Sequence, residues 1–153
     1  MAYNNEGRFM QEAREFDERV IQVNRVSKKT KGGNRMSFSV LLVVGDKKGR
    51  VGVGLGKARD VVSAIRKAST YAKKHLITVP IVRGTIPYDV LIKRGAAKIL
   101  LKPAPEGSGV IAGGAVRSVV EAAGIRNISS KVLGTKNQAS NVYATLSALS
   151  TFK

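Results

Sequence analysis

The stretch Met36–Gly56, MSFSVLLVVGDKKGRVGVGLG, decides the fold. From Met36 to Val44 the side chains alternate, with Phe38, Val40, Leu42 and Val44 on one face and Ser37, Ser39, Leu41 and Val43 on the other, the period of a strand. Gly45-Asp46-Lys47-Lys48-Gly49 supplies hairpin residues, and Arg50 to Gly56 returns with Val51, Val53 and Leu55 alternating against Arg50, Gly52 and Gly54. The two strands are predicted to pair antiparallel. From Lys57 to Leu76 the period changes: Val61, Ile65, Ala68, Ala72 and Leu76 form an apolar stripe, and Arg59, Ser63, Arg66, Thr70 and Lys73 line another face. That pattern predicts an amphipathic helix, with Asp60 suited to its first turn.

Working outward, Val20 to Val26 reads as a short extended run, and Lys28 to Arg35 (KKTKGGNR) as a basic, glycine-containing loop. The leader before it has Phe9, Ala13 and Phe16 at helical spacing. Pro80, Arg83-Gly84 and Ile86-Pro87 punctuate the middle of the chain without a flexible linker, so two halves are expected to pack together. In the second half, Val90–Ile92 and Lys98–Leu101 flank Lys93-Arg94-Gly95-Ala96 as a second hairpin. Pro103 to Gly109 follows as a loop, then a helix over 115–123 stopped by Gly124, then a last helix over 138–150. The predicted order is β-β-β-α then β-β-α-α, an α+β protein of two small domains. The expected divisions are an acidic extension over 1–18, a first domain over 19–82 and a second over 83–153.

The charge is uneven. The 153 residues carry 27 Lys and Arg against 10 Asp and Glu, a net +17. The count is −3 over residues 1–18, +13 over 19–80 and +7 over 81–153. Such an excess repels itself unless a polyanion neutralises it, and the first folded half carries most of it. There is no cysteine, which excludes disulfides, thiolate nucleophiles and thiolate-held zinc, and the single histidine, His75, sits beside Lys73 and Lys74 near a helix end. No apolar run is long enough to cross a membrane as a helix, and the leader has no secretory pattern, so a cytoplasmic protein is expected.

Gly52-Val53-Gly54-Leu55-Gly56-Lys57 lies between a strand and a helix, where phosphate loops occur. A Walker loop would need glycine at Val51 and Ser or Thr at Ala58, so the spacing fails. These glycines instead admit close approach by a packed helix or by an RNA backbone. Gly107-Ser108-Gly109-Val110-Ile111-Ala112 matches a loose dinucleotide pattern, but no acid follows at the required distance. It reads as a tight loop feeding a helix N-terminus. No pair of carboxylates or histidine cluster suggests catalysis, a metal or a cofactor.

Three basic clusters survive this scrutiny: the 28–35 loop, the 47–50 hairpin tip and the helix face of Arg59, Arg66 and Lys73. Each offers ammonium and guanidinium groups to phosphates. Aromatics make up 5% of residues, which favours backbone and shape recognition of RNA helices over base stacking.

Val23-Asn24-Arg25-Val26-Ser27-Lys28, Lys31-Gly32-Gly33, Phe38-Ser39, Val43-Val44-Gly45-Asp46, Gly49-Arg50-Val51-Gly52, Gly56-Lys57-Ala58-Arg59 and Glu106 to Gly114 (EGSGVIAGG) resemble, in order, signatures of bacterial small-subunit ribosomal protein five. The likeness runs from about residue 18 to 150. It implies an N-terminal domain similar to a double-stranded-RNA-binding fold that lacks its first helix, and a C-terminal two-layer α/β sandwich. It also implies a non-enzymatic constituent of the small ribosomal subunit that binds 16S-type rRNA, supports assembly and influences translational accuracy. The residues expected on RNA are Arg25, Lys28, Lys29, Lys31, Gly32, Gly33, Arg35, Lys47, Lys48, Arg50, Lys57, Arg59 and Arg66. By resemblance, Arg25 lies near the messenger entry channel, and Arg94, Gly95, Ala96 and Lys102 face ribosomal protein four. Ribosomal protein eight is expected on the C-terminal domain. Asn34 departs from the arginine common in the family after the two glycines.

Overall fold

The computed structural model describes residues 16–152. Among the described residues, two four-stranded sheets and three helices follow in the order β1 (Asp17–Thr30), β2 (Gly33–Gly45), β3 (Arg50–Ala58), α1 (Val61–Lys74), β4 (Ile77–Thr78), β5 (Val90–Arg94), β6 (Ala97–Pro103), β7 (Val110–Ile111), α2 (Gly114–Ala123), β8 (Ile128–Val132) and α3 (Gln138–Ser150). The first sheet has the order β1-β2-β3-β4 and is antiparallel throughout; the second has the order β5-β6-β8-β7, with β7 and β8 parallel. The helical expectation for the leader falls, apart from Phe16, outside the described residues.

The register of β2 on β3 sets Val40 opposite Gly56, Leu42 opposite Gly54 and Val44 opposite Gly52. One face of the sheet is therefore large on β2 and bare on β3. Helix α1 lies on it through Ala64, Ala68 and Ala72, which are fully buried with Val40, Leu42 and Val44. A Cβ built on Gly52, Gly54 or Gly56 would stand 2.4, 2.0 and 2.3 Å from the carbonyl oxygens of Ala72, Ala68 and Ala64. Small residues on both partners bring helix backbone onto strand backbone, and each buried Val or Leu beside the seam contributes about 1.5–3 kcal/mol. Of the two uses the sequence left open for these glycines, the packed helix occupies the space. Asp60 caps α1 by accepting the Ser63 amide at 3.1 Å, so the helix begins at Val61 rather than at Lys57, which ends up on β3.

The opposite face of β2 and β3 is also covered. Leu41, Val43, Val51 and Val53 join Ile99, Leu101, Val116, Val119, Val142 and Leu149 in one buried cluster that spans both sheets. Helices α2 and α3 fill the space between them. The run Val40–Val44 has no polar position because both its faces are covered there, whereas Ser37 and Ser39 are only half-buried.

The junction also satisfies a helix end. An α-helix leaves its last carbonyls without intrahelical donors. At the end of α2, Gly124 adopts φ 95° and donates to Glu121 and Val120, and Ile125 donates to Val120. The carbonyls of Ala122 and Ala123 receive the amides of Lys47 (3.1 Å) and Gly49 (2.8 Å), both from the β2–β3 turn. Contact is backbone to backbone: a Cβ on Gly45 would lie 2.1 Å from the Ala122 oxygen, and one on Gly124 2.3 Å from the Lys47 oxygen.

Three expectations are corrected. The segment 28–35 is not a loop: Lys28 pairs with Arg35, Lys29 with Asn34 and Thr30 with Gly33, leaving only Lys31 and Gly32 as the turn. The second half has four strands rather than two, because β7 and β8 were not anticipated. Ile128–Val132 (ISSKV) is short and half polar, and it earns its place by pairing with both β6 and β7. The short β4 was also missed. Gly54→Ala is expected to destabilise the protein by about 1–3 kcal/mol or more through overpacking, read as a lower urea midpoint. Gly114→Ala, whose Cβ meets nothing within 4 Å, should leave that midpoint nearly unchanged.

Candidate nucleic-acid interface

The distal half of the β1–β2 hairpin projects beyond the packed core as an exposed two-stranded ribbon. Register sorts its cations. Lys28 stands opposite Arg35, on the same face as Lys57, which pairs with Ser39. Arg25, opposite Phe38, and Lys29, opposite Asn34, occupy the other face, on the side of α1. Arg25 lies against the Met36 sulfur at 2.7 Å. Lys31 and Gly32 form the tip, and Gly33 takes φ 134°, open to solvent. Lys28, Lys29, Lys31 and Arg35 make no ion pair with a described residue. A directly opposed Lys28–Arg35 pair is unfavourable in the isolated sheet and ready for an external anion.

The second cluster lies elsewhere. Lys47, Lys48 and Arg50 sit at the opposite end of β2, roughly 40 Å from the tip at the usual rise per residue. Their turn is docked on α2. Asp46, its side chain 3% exposed, accepts the amides of Lys48 (2.8 Å) and Arg50 (3.1 Å) and the Arg50 Nε (2.8 Å). Burial pushes its carboxyl up, but the hydrogen bonds from Arg50 and Lys48 outweigh burial and hold it below the usual carboxylate value. Arg50 also lies over the Phe16 ring at 5.0 Å, and Lys47 pairs with Asp17 at 2.9 Å. These two cations serve the fold, while Lys48 is exposed. The three clusters thus do not form one continuous surface.

Arg59, between β3 and α1, and Arg66, on α1, are exposed, whereas Lys73 of α1 is drawn to Glu18 of β1 at 3.1 Å. His75 stacks on Tyr71 at 4.1 Å and ends the helix. In the second half, Gly95 and Ala96 are the two-residue turn between β5 and β6. Arg94 turns inward, donating to Ser147 Oγ at 3.0 Å and lying 5.4 Å above the Tyr143 ring, so it anchors the turn on α3. Lys102 is exposed on β6. Sequence reasoning missed Arg19, which pairs with Glu121 across the two halves at 2.7 Å, because nothing local marks a partner about a hundred residues away. It also gave no role to Lys131, which lies on the unforeseen β8.

Among the described residues no three His, Cys, Asp or Glu side chains gather as metal ligands, and no helix is long and apolar enough to cross a membrane. The Gly52–Gly56 series, filled by α1, leaves no cradle for a phosphate.

Family comparison divides the chain in two. Residues 16–80 match the model described as ribosomal protein S5, N-terminal domain, and residues 92–153 that of the C-terminal domain. The small ribosomal subunit protein uS5 of Chloroflexus aurantiacus is 55% identical over 139 residues, covering 91% of this chain and 78% of the relative. Its namesake in Thermotoga maritima is 52% identical over 135 residues (88% and 76%), and that in Lawsonia intracellularis 49% over 138 (90% and 85%).

Asp46 has a folded-state pKa below its unfolded value, so its contribution is present above about pH 4 and is lost as pH falls through the depressed value. Asp46→Ala is expected to cost about 1–3 kcal/mol at pH 7, read by urea unfolding. The deficit relative to the parent should shrink toward pH 2–3; an equal deficit at both pH values would deny the carboxylate this role.

Proposed function

The chain belongs to the ribosomal protein S5 family, and from that premise we propose that it binds 16S-type rRNA as a structural constituent of the small ribosomal subunit. It is not an enzyme, and it works in the ribosome, in the cytoplasm. The observation that carries the RNA reading is the cationic ribbon formed by Lys28, Lys29, Lys31 and Arg35, which have no ion pair among the described residues, on a hairpin anchored at its far end. A twisted ribbon with cations on both faces offers contacts to two phosphate strands at once. The exposed glycine turn at Gly32–Gly33 permits close approach to a backbone.

Lys57, Arg59, Arg66 and Lys48 extend the RNA contacts. Arg25, near the ribbon's base, is given to the messenger entry region. Gly95 and Ala96, held outward by Arg94, together with Lys102, form the contact to ribosomal protein four, and ribosomal protein eight meets the C-terminal domain. Through these contacts the protein supports subunit assembly and translational accuracy. Lys47 and Arg50, engaged with Asp17 and Asp46, contribute to RNA binding mainly by fixing the turn.

Replacing Lys28, Lys29, Lys31 and Arg35 by glutamine is expected to flatten the dependence of log affinity on log salt by about 0.7–0.9 per lost phosphate contact. The variant should also wash from small subunits at lower salt than the parent. An unchanged salt slope would remove the ribbon from the RNA interface.

A further inference from the structure

Of the methionines Met1, Met10 and Met36, the last is on the exposed ribbon. It stands opposite Ser27 on β1, one pair along from Arg25 and Phe38, and is 44% exposed. The strand period puts Arg25, Ser27, Met36 and Phe38 on one face. There the Arg25 guanidinium donates to the Met36 sulfur at 2.7 Å. No carboxylate competes for it: the sequence has no Asp or Glu from Arg19 to Gly45, and Arg25 has no ion pair with a described residue.

A thioether sulfur is a weak acceptor, so this contact places Arg25 without satisfying its charge. Oxidation changes the acceptor. A peroxide is attacked by a sulfur lone pair: the O–O bond breaks, an S–O bond forms and sulfur gives up two electrons. The proton of the transferred hydroxyl leaves with the other oxygen as water. The product, methionine sulfoxide, is polar where the thioether was apolar. Its oxygen is a full hydrogen-bond acceptor, and a bond to it from an ionised donor is about twice as strong as one between neutral groups.

We propose that Met36 is a reversible oxidation site for peroxide, whose sulfoxide holds Arg25 against the ribbon and withdraws that cation from RNA. The withdrawal rests on the RNA reading of Arg25 given above. Lys28 and Arg35 lie on the opposite face, so the change is confined to one phosphate contact. Reversal uses the two methionine sulfoxide reductases, one for each epimer, with thiols as the reductant: the oxygen leaves as water and the thiols become a disulfide.

The test treats the full chain with dilute hydrogen peroxide. Trypsin then cuts after Arg35 and Lys47, which separates Met36 from Met1 and Met10. Mass spectrometry is expected to show one added oxygen on the peptide 36–47; that peptide unoxidised while Met1 or Met10 reacts overturns the proposal. Salt titration of binding to a mixed-sequence RNA duplex of about 16 base pairs reads the consequence. The oxidised parent is expected to lose about 0.7–0.9 from its slope, one phosphate contact, and to regain it after treatment with both reductases. Met36→Leu, near methionine in volume, should keep its slope through the same oxidation. Arg25→Gln should begin with the lowered slope and lose nothing more. A further loss in Arg25→Gln, or a full loss in Met36→Leu, overturns the proposal by placing the effect elsewhere. An unchanged slope in the oxidised parent also overturns it, and a lowered slope in untreated Arg25→Gln then leaves the RNA reading standing. An unchanged slope in untreated Arg25→Gln removes Arg25 from RNA and the proposal with it.

Discussion

The last two carbonyls of α2, those of Ala122 and Ala123, are closed by amides of the turn that joins β2 to β3. Buried carbonyls without donors are costly, so neither half presents a finished surface at this point without the other. The same turn holds Asp46 over its own backbone and leaves Gly45 and Gly49 in contact with the second half. From this contact β2 runs outward, and the position of the basic ribbon is set by where its buried end is fastened. A single core spanning both sheets follows from the same docking, since Leu41 and Val43 would otherwise face water.

Charge is divided between two tasks. Cations at the junction have acidic partners: Arg19 with Glu121, Lys47 with Asp17, Arg50 with Asp46 and Lys73 with Glu18. All but the pair with the buried Asp46 are exposed or half-exposed, and those orient elements more than they stabilise them. Cations on the ribbon have no such partners among the described residues. Asp17 and Glu18, which count toward the acidic leader in sequence, belong structurally to β1 and to its pairing with the first domain.

Much of the first sheet was legible in the residues because its signals are local. Alternation over Met36–Val44, the Gly45–Gly49 turn and the switch to helical spacing each occupy a short window. What escaped depends on distance. Nothing within Ile128–Val132 marks a strand, since its pairing is with β6 and β7. Nothing in Lys47 or Arg50 showed that their turn closes a helix some seventy residues later. The cationic residues of the candidate site were visible as composition, but their division between ribbon and junction required the fold.

The glycine seam between β3 and α1 has a bearing on how this chain can change. The atoms a side chain would strike at Gly52, Gly54 and Gly56 are main-chain carbonyls, the nearest at 2.0–2.4 Å. When a side chain is overpacked against another side chain, a smaller neighbour elsewhere restores the fit. Here the opposing residues are already alanine, and the obstruction is the peptide bond common to all of them. No compensating substitution on α1 can relieve it, so these three positions are closed to drift by geometry, whatever the rest of the helix becomes.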